Sequence, residues 1–210
     1  METHPSITFC GTKNVTVNIV QILIDACPES IARQDNDGLT PLHRLCGNYH
    51  LDDTIALGIL KLFLEMHPHS ACHVDGVQNL PIHLASECQS SDFCRMLIGA
   101  FPGSERILDA AGMLPLHIAC SGGSVATAQY YLNLHPEGMH VLSTHGYPIN
   151  CTISGLCDRE ADIDTAFEMV EFLVTHDPNV ASKEYQGRSP IESAFLSRNT
   201  MIPTCMLASK

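Results

Sequence analysis

Six prolines, Pro5, Pro41, Pro81, Pro115, Pro148 and Pro190, each open a short apolar run, at intervals of 36, 40, 34, 33 and 42 residues. The clearest copies read Thr40-Pro41-Leu42-His43, Leu80-Pro81-Ile82-His83-Leu84-Ala85 and Leu114-Pro115-Leu116-His117-Ile118-Ala119-Cys120. Five further prolines, Pro28, Pro68, Pro102, Pro136 and Pro178, close longer runs. A period in this range marks a solenoid, in which a unit buries its apolar side only by stacking on its neighbours. Such arrays present long surfaces to partners and seldom carry chemistry of their own, so the repeat constrains function more than any single residue.

The pattern inside each unit is helical. Ile19, Ile22, Leu23, Ala26 and Cys27 recur at i, i+3, i+4, i+7 and i+8, and Phe93, Met96, Leu97, Ala100 and Phe101 repeat that spacing. This is one apolar helix face. A closing proline disfavours helical conformation in the residue before it, so each long helix stops there. The opening prolines suit the first turn of a short helix, where a missing N–H costs nothing. Ser124 and Asp92 are expected as N-caps and Thr165 with Glu168 as a capping box. Gly38, Gly112 and Gly187 lie three residues before an opener, where a tight turn needs positive φ. Gln78 breaks that rule, and Gly146 is shifted by one. From opener to closer the distances are 23, 27, 21, 21 and 30 residues. The second and fifth units therefore carry insertions, around Asn48–Thr54 and Gly155–Asp164, expected as extra helical turns or protruding loops between paired helices.

These blocks resemble the ankyrin repeat, a β-turn finger followed by two antiparallel helices, with Thr-Pro-Leu-His opening the first. Asp37-Gly38-Leu39-Thr40-Pro41-Leu42-His43 and Ala111-Gly112-Met113-Leu114-Pro115-Leu116-His117-Ile118-Ala119 carry the signature best. Tyr147-Pro148-Ile149-Asn150 and Ser189-Pro190-Ile191-Glu192 keep the proline and lose the histidine. Pro5-Ser6-Ile7-Thr8-Phe9-Cys10-Gly11 matches mainly through Cys-Gly. The Leu-Pro-Leu-His-Ile-Ala-Cys form is similar to a variant found among algal and stramenopile members. The fold expected is an all-α solenoid of stacked helix-turn-helix repeats with short β-turn fingers. One array is expected over residues 3–200, with about five helix pairs and a partial sixth unit, followed by a tail over 201–210. The resemblance implies that His43, His83 and His117 hydrogen-bond to neighbouring backbone and to the threonine before the proline, tying fingers together. It also implies that Cys10, Cys46 and Cys120 fill small-residue positions.

Composition bounds the partners. The net charge is −12, with 11 basic against 23 acidic residues and no basic stripe. That removes a nucleic-acid footprint and disfavours anionic membranes, and a basic or neutral protein fits better. No window approaches the ~18 apolar residues of a membrane span. The start, Met-Glu-Thr-His-Pro, lacks a basic-then-apolar signal pattern, which favours cytoplasm or nucleus.

Ten cysteines and twelve histidines invite a metal or redox reading. No Cys-x-x-Cys occurs, and paired close ligands are wanting. Mostly buried thiols in a reducing compartment are expected. His67, His135 and His176 fall at the ends of long helices, where a partly protonated imidazole suits the dipole. No nucleophile elbow accompanies any histidine, so no enzyme, metal or cofactor is expected. The run Asp158–Asp164 has Ile163 where a calcium loop requires glycine, and reads as a solvated acidic loop.

The leading functional expectation is therefore a non-enzymatic protein-interaction scaffold, acting as a monomer. The resemblance implies that binding uses a concave side built from finger tips and short helices. The positions are Asn36, Leu39, Val77, Asn79, Ala111, Met113, Tyr185 and Arg188 on fingers, and Asn48, Glu87, Ser121 and Ser154 on helices. Leu39, Met113 and Tyr185 are the expected anchors. Leu39 and Met113 stay open to a second reading, packing against adjacent fingers. The alternatives are a Cys/His-rich metal-binding or redox-sensing protein, and a fragment of a larger multidomain protein.

Overall fold

A computed structural model describes residues 14–122, 124–158 and 163–196, without the side chains of 156–158, 163 and 196. The chain divides into two compact units, residues 1–104 and 105–210. The first holds α1 (Val17–Ala26), α2 (Pro41–Cys46), α3 (Asp53–Met66), α4 (Pro81–Cys88) and α5 (Ser91–Ala100). The second holds α6 (Pro115–Gly122), α7 (Val125–Leu134), α8 (Pro148–Asp158), α9 (Ile163–His176) and α10 (Pro190–Leu196). Short and long helices alternate in an all-α repeat fold, and among the described residues the only extended pairings are two isolated bridges in fingers.

The prolines act where the sequence places them. Pro41, Pro81, Pro115, Pro148 and Pro190 are each the first residue of a short helix. Each long helix ends shortly before its closing proline. A feature not foreseen follows: Pro28, Pro68, Pro136 and Pro178 each start a five-residue 3-10 turn, because proline's fixed φ and absent N–H suit a first helical position equally well there. His67 and His135 sit at the C-caps of α3 and α7, one residue past the helix, and His176 ends α9. Pro5 lies outside the described residues.

Within the first unit α1, α3 and α5 stack on one side and α2 and α4 on the other; within the second α6, α8 and α10 stack on the short-helix side and α7 packs on α9. The core lies between these layers, with Phe63 and Phe93 buried in the first unit and Tyr131 and Leu114 in the second. Complete burial of such side chains contributes ~1.5–3 kcal/mol each.

Two local expectations change. Ser124 caps α7 through the N–H of Thr127, as expected. Asp92 does not cap α5: Ser90 does, accepting from Phe93, and Asp92 lies in the first turn, where its charge suits the dipole. Thr165 lies inside α9, which begins at Ile163, so no capping box starts there. The insertions extend helices. The long helices α3 and α9 have 14 residues against 10 in α5 and α7, and α8 has 11 against 8 in α4 and α6. In the second repeat a loop over 47–52 adds to this, and residues 159–162 of the other insertion lie outside the described part.

Candidate interaction surface on fingers and short helices

An aspartate six residues before the opening proline builds each regular finger. Asp35 Oδ1 accepts from the N–H groups of Asp37 and Leu39, both at 3.0 Å. Asp75 accepts from Val77 and Asn79, and Asp109 from Ala111 and Met113, at 2.8–3.0 Å. In each the aspartate N–H also donates to the carbonyl four residues on. The turn needs one left-handed residue. Gly38 and Gly112 supply it at φ 78° and 73°, and Gln78 occupies the same place at φ 64°. Partial desolvation works against the charged form of Asp35, but the Arg44 guanidinium and the two N–H donors outweigh it and hold the carboxyl below its ordinary value. Arg44 reaches Asp35 Oδ2 through Nε at 3.1 Å and Nη2 at 2.6 Å.

The last two fingers differ. The fifth is one residue shorter, and Ser143 closes it by accepting from the His145 N–H through Oγ and pairing with Gly146. The sixth is a two-residue hairpin in which Tyr185 and Arg188 exchange backbone bonds across Gln186 and Gly187, both left-handed.

Fingers are tied to one another. In the first unit the Gly76 N–H donates to Asp37 O at 2.9 Å. In the second, the Thr144 N–H and hydroxyl both donate to Ala111 O at 3.0 Å, and the Tyr185 hydroxyl donates to Thr144 O. The histidines bond to backbone as expected, but the expected threonine stands before the proline only at Thr40, with Leu80 and Leu114 in its place for His83 and His117. His43, His83 and His117 accept through Nδ1 from the N–H of Thr40, Leu80 and Leu114 at 3.0–3.2 Å. Nε2 of His43 donates to Asn79 O at 3.1 Å, and Nε2 of His117 to Val141 O at 3.0 Å, in the next repeat. Burial drives the His117 imidazole down to about 4, against the pull of the Val141 carbonyl; burial also lowers His43. Both rings are neutral links, not acid–base groups at neutral pH.

The expected contact residues separate into three sets. Asn36, Glu87 and Arg188 are exposed, as are Val77 and Ser154. Leu39, Asn79, Ala111, Met113, Ser121 and Tyr185 are half-buried. Asn79 gives its side-chain amide to Asp75 and its carbonyl to His43, so much of it is committed to the finger. Tyr185 spends its hydroxyl on the neighbouring finger. Ser121 lies against α8: a Cβ on Gly155 would sit 2.6 Å from the Ser121 carbonyl oxygen. Asn48, expected on the open side, is buried instead at 4% exposure. Its Oδ1 accepts from the His50 N–H, and its carbonyl takes the buried Gln89 amide at 3.0 Å, so it anchors the 47–52 loop. Glu65, Asn133 and Glu171 on the long helices are exposed.

Among the described cysteines Cys46, Cys94, Cys120 and Cys151 are buried, Cys27 is half-buried, and Cys72 and Cys88 are exposed, with no disulfide linking any of the seven. Burial pushes the Cys151 thiol up to about 12, and Cys120 is raised by burial and by Cys151. Among the described residues no group of three or more His, Cys, Asp or Glu could hold a metal ion, and no helix is long and apolar enough to cross a membrane.

Residues 7–105 match the family model of ankyrin repeats in three copies. The repeats over these residues are ankyrin repeats. Beyond the matched segment the order of finger, short helix and long helix recurs through α6 with α7 and α8 with α9, and a further finger and the short helix α10 follow. The chain is also 27% identical over 191 residues to the mouse B-cell lymphoma 3 protein homolog. That alignment covers 77% of this chain and 42% of the relative, so the chain spans less than half the length of that protein.

Proposed function

We propose that this ankyrin chain is a non-enzymatic protein-binding scaffold whose partner lies against the fingers and the open side of the short helices. One observation carries the reading. Within each unit the finger backbones satisfy polar groups internally and are braced to one another, while Asn36, Val77 and Arg188 project from fingers and Glu87 from the short helix α4. A rigid frame with outward side chains pays little ordering entropy on binding. Val77 is 60% exposed at a finger tip, an apolar side chain open to a partner. Ankyrin repeats generally bind proteins, which supports the same reading. The excess of acid favours a basic partner over nucleic acid or an anionic membrane. The chain acts as a monomer in the cytoplasm or nucleus, without a cofactor.

The test pairs binding with stability. A partner is captured from the native source, identified, purified and titrated against Leu39→Asp, Val77→Asp, Met113→Asp and Tyr185→Ala. Glu65→Ala, Asn133→Ala and Glu171→Ala form the contrast set. Truncating a central anchor costs ~2 kcal/mol or more of binding. Weakened binding with an unchanged melt in the first set supports the assignment. Weakening confined to the second set means that the long-helix side is the interface. A finger variant that loses melting temperature in step with affinity is packing, not contact.

A further inference from the structure

The insertion of the second repeat is a built loop. It leaves α2 at Gly47, the C-cap, and enters α3 at Asp52, whose Oδ1 accepts from the Thr54 N–H at 2.9 Å. Buried Asn48 accepts through Oδ1 from the His50 N–H at 3.0 Å. Gln89 follows α4 directly and is also buried; its Nε2 lies 3.0 Å from the Asn48 carbonyl and 3.1 Å from that of Cys46. Two buried polar side chains, one from the loop and one from the next repeat, therefore fix the backbone on both sides of Tyr49. Such a loop is ordered before any partner arrives, which removes part of the entropy cost of binding.

What the loop presents is aromatic. Tyr49 is 71% exposed, and its ring centroid lies 4.0 Å from that of His50, with the planes at 45°. Tyrosine is enriched among the residues that dominate binding energy at protein interfaces. The surrounding charge selects the partner. Residues 14–104 carry ten acidic against four basic side chains. Three of the four basic ones stand beside acids of the same unit: Arg44 at Asp35, Lys61 at Glu65 and Arg95 at Asp92. Asp53 is exposed in the first turn of α3, four residues after Tyr49, and Glu87 is exposed two residues before Gln89.

We propose that the 47–52 loop is a docking point for an arginine-bearing segment of a basic protein partner, with the guanidinium stacked on the Tyr49 ring. The proposal rests on the protein-binding reading above and adds to it an anchor outside the fingers. A guanidinium is planar, weakly hydrated and drawn to the negative face of an aromatic ring. A lysine ammonium brings the charge without the planar stack, and an acidic segment meets the negative field of the unit.

The probe is an octapeptide of alternating arginine and glycine, with lysine and glutamate counterparts. Each is titrated at low salt into the isotopically labelled full chain and followed by amide NMR shifts. The expected result is shifts concentrated at Tyr49, His50 and Asp53, with the arginine peptide severalfold tighter than the lysine peptide and no shifts from the glutamate peptide. Tyr49→Ala should weaken the arginine peptide about fivefold, and Tyr49→Phe, which keeps the ring, should stay within about twofold of the unaltered chain. Neither variant should move the thermal melt, because the ring is exposed. Equal affinity of Tyr49→Ala and the unaltered chain, or of the arginine and lysine peptides, overturns the proposal. Loop shifts that grow with protein concentration in the absence of peptide also overturn it, because a second copy would then be the cover. The partner captured above separates the two readings. Loss of its affinity in the finger variants but not in Tyr49→Ala removes this anchor and leaves the scaffold reading standing; loss in Tyr49→Ala alone supports the anchor and moves the interface off the fingers.

Discussion

Finger stacking in the first unit rests on one close approach, and three glycines separate its parts. Gly38 is left-handed at φ 78°, and a Cβ there would stand 2.8 Å from Gly76 N and 3.2 Å from Asp75 C. Both are backbone atoms, so they cannot swing aside. Gly76 has ordinary φ, and its Cβ would stand 2.8 Å from Asp37 O, the acceptor of its own 2.9 Å bond. Gly103 is left-handed at φ 89° with nothing within 4 Å of its Cβ. Gly103→Ala therefore carries only the conformational cost, ~1–2 kcal/mol for a Cβ in the left-handed region. Gly76→Ala carries only the contact: the inter-finger bond opens, worth ~1 kcal/mol, with strain added. Gly38→Ala carries both and is expected to cost ~3 kcal/mol, close to the sum of the other two. All three lie in the first unit, so urea unfolding followed by far-ultraviolet circular dichroism reads them on one transition. Hydrogen exchange at the Gly76 amide should rise in Gly38→Ala and stay unchanged in Gly103→Ala. A Gly38→Ala cost no larger than that of Gly103→Ala would refute the stacking argument, leaving only a turn preference.

Two further outcomes concern the histidine position. His117 is held near 4 in the fold by burial against 6.5 in the unfolded chain, so the unfolded state binds more protons between those values. Its contribution is complete above about pH 6.5 and declines as pH falls toward 4, up to ~3 kcal/mol; urea midpoints measured across that range should show a shallower decline in His117→Gln. Asn150 occupies the same position in the fifth repeat: its Oδ1 accepts from the Tyr147 N–H at 3.0 Å, but its buried Nδ2 has no partner. Asn150→His should add reach toward the next finger and raise stability by ~1 kcal/mol, read by thermal melt; a lower melting temperature would mean that the ring does not fit.

Much of this architecture is written in recurrent residues. The opening prolines, the His-to-backbone ties and the left-handed finger turns each recur in register, and local sterics decide them, so they are legible. Gln78 shows the limit of that logic: an Asx-braced turn imposes positive φ on a residue other than glycine. The bracing aspartates Asp35, Asp75 and Asp109 stand at one fixed distance from an opener, a signal present in the chain that charge bookkeeping concealed. Site residues were harder to read, because exposure depends on neighbours. Asn48 sits seven residues after its proline, whereas Glu87, Ser121 and Ser154 sit six after theirs. Gly47 holds the matching place, and the chain turns Asn48 inward to meet Gln89. Ser121 is half-covered because α8 lies alongside α6, with Gly155 close to the Ser121 carbonyl.

The same bracing decides where the negative charge can act on a partner. Asp35, Asp75 and Asp109 spend carboxylate lone pairs on finger N–H groups, and Arg44 neutralises Asp35. The net charge of −12 therefore overstates what the fingers offer to a basic protein. Asp37 is different: its side chain is 78% exposed, and Arg44 stands 3.9 Å away, engaged chiefly with Asp35. Asp37→Asn should leave the melt unchanged and slow association with a basic partner, an effect that fades as salt shortens the Debye length to ~8 Å and below. Asp75→Asn should do the reverse. It exchanges a charge-assisted acceptor for a neutral one beneath two N–H donors, so it lowers stability by ~1–2 kcal/mol and alters binding only through the misplaced finger. Stopped-flow association at several salt concentrations, set beside urea unfolding, separates the two. If Asp75→Asn slows association as much as Asp37→Asn while the fold holds, the bracing carboxylates are contact groups after all, and the division between frame and surface falls.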